Sequence, residues 1–577
     1  MAFSVNEEFP LLIDNDDAAN VKDSKPKKLG FWSTLFRIAK KGFSGWGSKV
    51  TRLVLLLLVI SIINTILRYY WVSIPSHIQK SLRSKDKNVF VDSSIRGALY
   101  IVGLGICASV FKYFGNYTKA LYRKNINIHC HEKYMHGDMY YQLAFTRALD
   151  NPDQRLTKDI DLWSQSFGAL FYRIWNCMLD VGVMAYSLYK TIEIFALVPV
   201  VALLLCVLVI CLLIKRVVPR IVKQQELEGT FRDKHTTIKD QAEVYAFTKQ
   251  DRLLQKQLDS RIHDVVMNYK SIQWGYFPID LWNQIFAFGK IIFGFMLPGL
   301  LYFFIDKFHT DDFMDGVLTS ALATAEIFSQ IKQINHIVED SAALVGYTTR
   351  VGEFLCYEAH KNRFTSLVLK DPKAILVKGP LVSPNGEEII SAINVSFDFE
   401  QYKSFALVGP SGCGKSSLVR VLGGLWSSHY VEKYSDIKFF PQQPHIPSND
   451  LFEYIMYPEQ AKSINMVRLM NIAKMTRMDI WFGLDHIDED GNYIPFRVND
   501  TLSPGEIQRL TFTRMLYNAS TTSICVADEP TSALPLEEGR ILLALLKEEY
   551  FGVIAIVHDE SLHDVFENVI EFENLTF

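Results

Sequence analysis

The chain has 577 residues, of which 49% are hydrophobic and 21% charged, with a mean hydropathy of +0.09. That mixture fits neither a wholly membrane-buried protein nor an ordinary soluble one, and points to separate bilayer and water-facing parts. Lys and Arg number 60 against 63 Asp and Glu, a net charge of −3, so the global positive field of a nucleic-acid binder is missing and nucleic acid is excluded as a main partner. The 8 cysteines include no C-x-x-C pair, which argues against a disulfide framework or zinc ribbon and for a reducing compartment.

Residues 1–50 read as a cytosolic tail: Met1 to Lys28 carry acids early and lysines late, with no apolar core of a cleaved signal peptide. Within it, Glu7-Glu8-Phe9-Pro10-Leu11-Leu12-Ile13 resembles an acidic dileucine sorting signal. Residues 51–350 read as an all-α transmembrane domain of six helices: Leu53 to Val72, Ile95 to Phe114, Phe167 to Leu188, Ile194 to Ile214, Ile285 to Ile305 and Met314 to Ile337. A run of ~20 residues at ~1.5 Å each crosses a ~30 Å hydrocarbon layer. Each of the four weaker candidates, all but Leu53 to Val72 and Ile194 to Ile214, carries charges, among them Arg173, Asp180, Lys290 and Glu326. Such groups must face other helices, headgroups or a watery path. Met314 to Ile337 also reads as a soluble amphipathic helix. Arg37, Lys40, Lys41, Lys49 and Arg52 precede the first span and place the amino terminus in the cytosol. The polar, helix-prone links 115–166 and 215–283 then become long cytosolic extensions.

Residues 351–577 read as an α/β domain, since short apolar runs alternate with Gly/Pro/Ser punctuation and helical stretches. The strand-like Ser404 to Val408 enters Gly409-Pro410-Ser411-Gly412-Cys413-Gly414-Lys415-Ser416-Ser417, followed by an apolar helix pattern. Glycines at these positions let backbone N–H groups turn onto phosphate oxygens beside the positive end of a helix. Lys415 is placed to reach the β- and γ-phosphates and Ser416 to ligate Mg²⁺. The flanking strand and helix weigh against a chance glycine loop. Downstream, the buried-strand run Ser523 to Ala527 ends in Asp528-Glu529, a carboxylate for the Mg²⁺ shell followed by one that polarises water. The strand Val553 to Val557 delivers His558; alone after a strand, such a histidine is ordinarily structural. His129, His131 and His136 do not meet the H-E-x-x-H spacing of a zinc site.

Leu502-Ser503-Pro504-Gly505-Glu506 resembles the LSGGQ signature of ABC transporters, and Phe440-Pro441-Gln442-Gln443-Pro444 resembles their Q-loop. The resemblance implies an ABC nucleotide-binding domain that hydrolyses ATP with Mg²⁺. It assigns Gln442, Ser416 and Asp528 to the metal, Glu529, His558 and Gln442 to catalysis, and Ser503, Gly505 and Glu506 to clasping nucleotide held by a second chain. One membrane domain with one ATPase domain is a half-transporter, which implies a dimer of identical or paralogous chains. Val421 to Trp426, Tyr454 to Pro458 and Glu226 to Arg232 resemble subfamily D, the peroxisomal-type half-transporters. Asp150 to Arg155, with the Leu502 to Glu506 stretch and Gln508 to Phe512 after it, resembles the lysosomal cobalamin branch. That branch implies cobalamin export from lysosome to cytosol and delivery by an escort protein. Fatty acyl-CoA import into peroxisomes, and an ATP-gated channel or scaffold that does not pump, are the alternative readings. Three departures from the family stand out: Pro504 for a signature glycine, Pro535 for the usual acid after Ser532-Ala533-Leu534, and Val382-Ser383-Pro384 where an adenine-stacking aromatic is usual.

Overall fold

The computed structural model describes residues 30–572 except 46, 150, 309–310, 358–364, 370–373, 429, 435, 447–450, 458–463 and 483–501. The dileucine string, Asp150 and Pro458 therefore lie outside the described residues. The chain divides into a helical unit, Pro26–Tyr134 with Leu149–Tyr357, and a second unit containing Met135–Ala148 and Glu358–Phe577. The short segment Met135–Ala148 thus belongs with the α/β part, although its sequence neighbours are helical.

The helical unit begins with α1 (Phe31–Phe43), which buries Leu35, Ile38, Ala39 and Gly42 on one face. Residues from Phe31 onward are accordingly a packed helix, where the sequence reads as tail. Next come α2 (Lys49–Ser84), α3 (Lys87–Met135), α4 (Met139–Thr146, in the second unit), α5 (Ile160–Ile192), α6 (Leu197–Ile214), α7 (Val218–Asp240), α8 (Ala242–Phe247), α9 (Asp251–Phe304) and α10 (Asp311–Cys356). Ser48 caps α2 by accepting from Thr51 N at 3.2 Å. Glu193, at φ 49° and ψ −131°, breaks α5 from α6. The 54 residues of α9 span roughly 80 Å at ~1.5 Å each, far more than a bilayer, so much of the helix must project into water.

Four helical stretches are long and apolar enough to cross a membrane: Lys49–Ser84, Lys87–Thr146, Pro152–Ile214 and Asp251–Phe304. The third holds both α5 and α6, hence two of the expected spans. The expected sixth, Met314 to Ile337, lies in α10 and is not among the four, because acidic and basic side chains dilute its hydropathy. A count of six is therefore not established. The α10 helix is nonetheless central, burying Ala321, Ala323, Ile327, Ile331 and Ile334 against α5, α6 and α9. On α6, by contrast, Leu197, Val201, Leu204, Leu205 and Leu208 are exposed, an apolar face that only lipid or another chain can cover.

The second unit is built on two sheets. Strands β1 (Thr365–Leu369), β2 (Ala374–Val382), β3 (Glu388–Asp398) and β5 (Tyr430–Tyr434) form one, in the order β1-β5-β2-β3. Strands β4 (Ser404–Val408), β6 (Ile437–Phe440), β7 (Ile524–Asp528), β8 (Gly552–Ile556) and β9 (Asn568–Glu571) form the other, all parallel, in the order β6-β7-β8-β4-β9. Every residue of β7 and β8 is buried, as central parallel strands covered on both faces require. One covering layer is α11 (Lys415–Leu422) with the first sheet, through Phe397, Phe405, Leu418 and Val526; the other is α14 (Pro504–Tyr517) with α15 (Leu536–Glu549), through Phe440, Phe512 and Leu543. Two short helices, α12 (Leu451–Met456) and α13 (Met466–Met475), close a smaller core with Leu502 and Leu510.

Candidate functional site

Parallel strands put their carboxyl ends on one edge, and ligands of open α/β sheets bind there. At that edge β4 releases the phosphate-loop candidate, β6 the stretch containing Gln442, β7 the Asp528-Glu529 pair, and β8 leads into His558.

Gly409, Gly412 and Gly414 adopt φ of 143°, 86° and 107°, backbone that a side chain would strain. A Cβ at Gly414 would also run into Ile390. Lys415, the first residue of α11, is buried and donates from Nζ to Gly409 O at 2.7 Å and Pro410 O at 2.8 Å. The ammonium is thus held inside the loop. Cys413 lies beside it, its Sγ 3.6 Å from Nζ. Ser411 and Gly412 are exposed on the loop and Ser417 is buried beneath it.

Ser416 Oγ donates to Asp528 Oδ1 at 3.2 Å. Burial raises the Asp528 carboxyl above its ordinary range, and the Ser416 hydroxyl pulls partly the other way. A buried carboxylate beside a hydroxyl is an all-oxygen donor pair, which fits Mg²⁺ shared with phosphates better than a softer metal. Glu529 follows at φ 48°, a left-handed conformation uncommon for a residue with a side chain. That bend turns its carboxylate out of the strand, where Oε1 lies 2.8 Å from His558 Nε2. A carboxylate can only accept, so the imidazole donates. Gln442 sits exposed after β6, at the same edge. Sequence-predicted residues from the phosphate loop, the Asp528-Glu529 pair and the segment after β8 are thus linked by side-chain contacts, while Gln442 shares only the edge with them.

The signature stretch is built differently. Ser503 is the N-cap of α14 and forms a capping box with Glu506, its N–H donating to Glu506 Oε2 at 2.8 Å. These bonds hold the Glu506 carboxyl below its usual range. Pro504 occupies the first turn, where its missing N–H has no helical partner to lose. Among the described residues no hydrogen bond or ion pair joins Ser503, Gly505 or Glu506 to the phosphate loop. Pro535 caps α15.

Two functional connections have no signature in the linear pattern. Gln508 is buried, donates from Nε2 to Ser532 Oγ at 2.8 Å and accepts from Ala533 N at 2.9 Å. It thereby ties α14 to the loop after Glu529, where a Cβ at Gly505 would come within 3.0 Å of Ala533 O. Second, Trp426 Nε1 donates to Tyr141 Oη on α4 at 2.9 Å, Phe145 packs edge-on against the indole, and the Arg420 guanidinium of α11 lies 5.1 Å from its ring. Only distance in sequence, 285 residues between Tyr141 and Trp426, hid this contact.

The ABC transporter transmembrane region 2 family matches residues 38–303, and the ABC transporter family matches residues 393–532, which include the phosphate loop, signature and Asp528-Glu529. The chain belongs to the ABC transporters. The lysosomal cobalamin transporter ABCD4 of Homo sapiens is 25% identical, covering 92% of this chain and 93% of its own length. ATP-binding cassette sub-family D member 3 of Homo sapiens is 21% identical over 95% of this chain and 89% of its own length. An uncharacterized ABC transporter ATP-binding protein of Synechocystis is 24% identical over 90% of this chain. Two of these three relatives are named for subfamily D, and all three matches span both units of this transporter.

Proposed function

We propose that this half-transporter hydrolyses MgATP to move cobalamin from the lysosome to the cytosol, working as a dimer of identical or paralogous chains. The 2.8 Å contact of His558 with Glu529, beside the Ser416–Asp528 pair 3.2 Å apart, carries the catalytic reading. Phosphates enter the glycine loop and draw the Lys415 ammonium from the loop carbonyls. Ser416, Asp528 and Gln442 would hold Mg²⁺, which when bound would neutralise charge on the nucleotide's phosphates. Glu529 orients and polarises the attacking water, and His558 fixes that carboxylate and faces the γ-phosphate. By the resemblance to the ABC signature, Ser503, Gly505 and Glu506 of a second chain clasp the nucleotide; among the described residues they make no bond to the loop of their own chain.

Cobalamin rests on the ABCD4 similarity together with Asp150 to Arg155, Leu502 to Glu506 and the dileucine string; import of fatty acyl-CoA into peroxisomes, from the resemblance to the peroxisomal-type half-transporters, is the second reading. An escort protein for delivery belongs to the first. Purified protein in liposomes, assayed for ATP hydrolysis against cobalamin and a series of acyl-CoAs, separates them. Cobalamin stimulation with indifference to acyl-CoA is expected, and the reverse overturns the cargo. Hydrolysis no faster than in Glu529→Gln would move the protein to the ATP-gated class. For the address, Leu11→Ala with Leu12→Ala is expected to send a tagged chain from lysosomes to the cell surface; wild type among peroxisomal markers would contradict it.

A further inference from the structure

Where α1 turns into α2, the helical unit holds a cavity of about 990 Å³. Its walls change chemistry along one direction. The α1 end contributes Arg37, Lys40 and Lys41, while α2 and α3 contribute Val54, Leu55 and Ile128. Val54 and Leu55 open the apolar stretch of α2, the depth at which headgroups give way to acyl chains. The one carboxylate on the described wall, Glu132, lies 3.8 Å from His129, on the same side of the cavity. Three permanent cations therefore face one acid and one histidine.

The cavity is braced by hydrogen bonds. Asn125 Nδ2 donates to Gly42 O at 2.8 Å, Thr51 Oγ1 to Gly45 O at 2.9 Å and Ser48 Oγ to Phe43 O at 2.5 Å, which fixes the bend between α1 and α2. Tyr122 packs so closely on Gly42 that no Cβ fits between them. With one face of α1 thus docked, Trp32 at 68% and Phe36 at 69% exposure point away from the bundle. An amphipathic helix carrying exposed aromatics and a basic end lies in a membrane interface.

We propose that this cavity is a binding site for one anionic phospholipid, its phosphate against Arg37, Lys40 and Lys41 and an acyl chain along Val54, Leu55 and Ile128. The occupant follows from the match of charge and polarity. A soluble anion would leave the apolar wall uncovered, and a zwitterionic lipid would bring its own cation to the basic end. The site is independent of what the transporter carries.

The test uses detergent-purified full-length protein and native mass spectrometry, titrated with phosphatidylglycerol and with phosphatidylcholine of the same chains. Retention of phosphatidylglycerol at tenfold lower concentration than phosphatidylcholine is expected. Each basic side chain near an anionic surface contributes about fivefold in affinity, so Arg37→Gln, Lys40→Gln and Lys41→Gln together are expected to weaken phosphatidylglycerol binding roughly a hundredfold. Arg37→Lys with Lys40→Arg and Lys41→Arg is expected to retain it. Inorganic phosphate and deacylated glycerophosphoglycerol, added as competitors at equal concentration, are expected to leave the lipid bound. Equal retention of the two lipids, unchanged binding in the triple glutamine variant, or displacement by either competitor would each overturn the site. Should the glutamine variant unfold on a thermal melt, the wild-type lipid preference and the charge-preserving variant still decide.

Discussion

At the scale of single residues, two carboxylates adjacent in sequence receive opposite surroundings. Asp528 ends a buried strand and touches a hydroxyl, while Glu529 bends out at φ 48° to meet an imidazole. Lys415→Ala is expected to abolish MgATP hydrolysis, and Glu529→Gln to lower it by about 10²–10⁴-fold while ATP still binds. A phosphate-release assay paired with nucleotide binding reads both. The raised Asp528 carboxyl takes up a proton at higher pH than an ordinary aspartate, so Mg²⁺-dependent ATP affinity is expected to fall earlier on acidification than for an unshifted carboxylate. Folding sees the same shift with the sign set by neutral Asp528: its stabilisation is present below the ordinary aspartate value and lost as pH rises through the raised one. Glu506 has the reverse sign. Its carboxyl is held low by the Ser503 N–H and then by the Ser503 hydroxyl, so the capping box stabilises above the ordinary glutamate range and is lost as pH falls through the lowered value. Removing the cap with Ser503→Ala is expected to cost ~1 kcal/mol, measured by thermal melting at neutral pH.

Elements are joined here by few, identifiable side chains. The α4 segment packs on the α/β unit through Tyr141 and Phe145, and Tyr141→Phe would leave the buried Trp426 N–H without its acceptor. A loss of ~1–2 kcal/mol is expected, seen as a drop of a few degrees in the melting of that unit. Retained melting with Trp426→Phe plus Tyr141→Phe would show that the lone unpaired donor is what costs. In the bundle, Arg68 on α2 pairs with Asp180 on α5 at 3.2 Å and approaches Glu326 on α10 at 3.8 Å, while Thr65 donates to Asp180 at 2.9 Å. Arg173 likewise pairs with Asp340. Of the charges in the expected spans, Arg173, Asp180 and Glu326 thus face other helices. Arg68 is partly exposed, so Arg68→Ala is expected to destabilise by ~2 kcal/mol, below the full cost of stranding a deeply buried carboxylate.

For the whole molecule, the proposed dimer predicts that hydrolysis needs a second chain, its signature meeting the phosphate loop of the first. Lys415→Ala and Ser503→Arg chains, each inactive alone, are expected to regain activity when co-expressed, because a mixed pair assembles one intact loop with one intact signature. Co-purification through two different tags identifies the pairs, and silence of a purified mixed dimer would contradict the shared site. The long helices extend the same logic: α9 at 54 residues exceeds any bilayer, so its polar half must be solvated or covered by another chain.

The linear order of residues determined the chemistry that depends on local backbone. Glycines before Lys415, acids at the end of an apolar strand and Ser-x-x-Glu ahead of a helix each encode a conformation within a few positions, and the local geometry of the candidate site was legible for that reason. Strong hydropathy likewise marked α2 and α6. Tertiary structure decided what depends on neighbours distant in sequence: that Phe31–Phe43 packs instead of trailing, that Met135–Ala148 joins the α/β unit, that Gln508 braces the loop after Glu529, and that Arg68 links three helices. It also decided α10, whose charges lower its hydropathy below that of a spanning segment while its small and branched residues place it at the centre of the bundle. Periodicity records how a segment meets water on average, whereas a buried ion pair cancels that average through a partner that the segment itself does not contain.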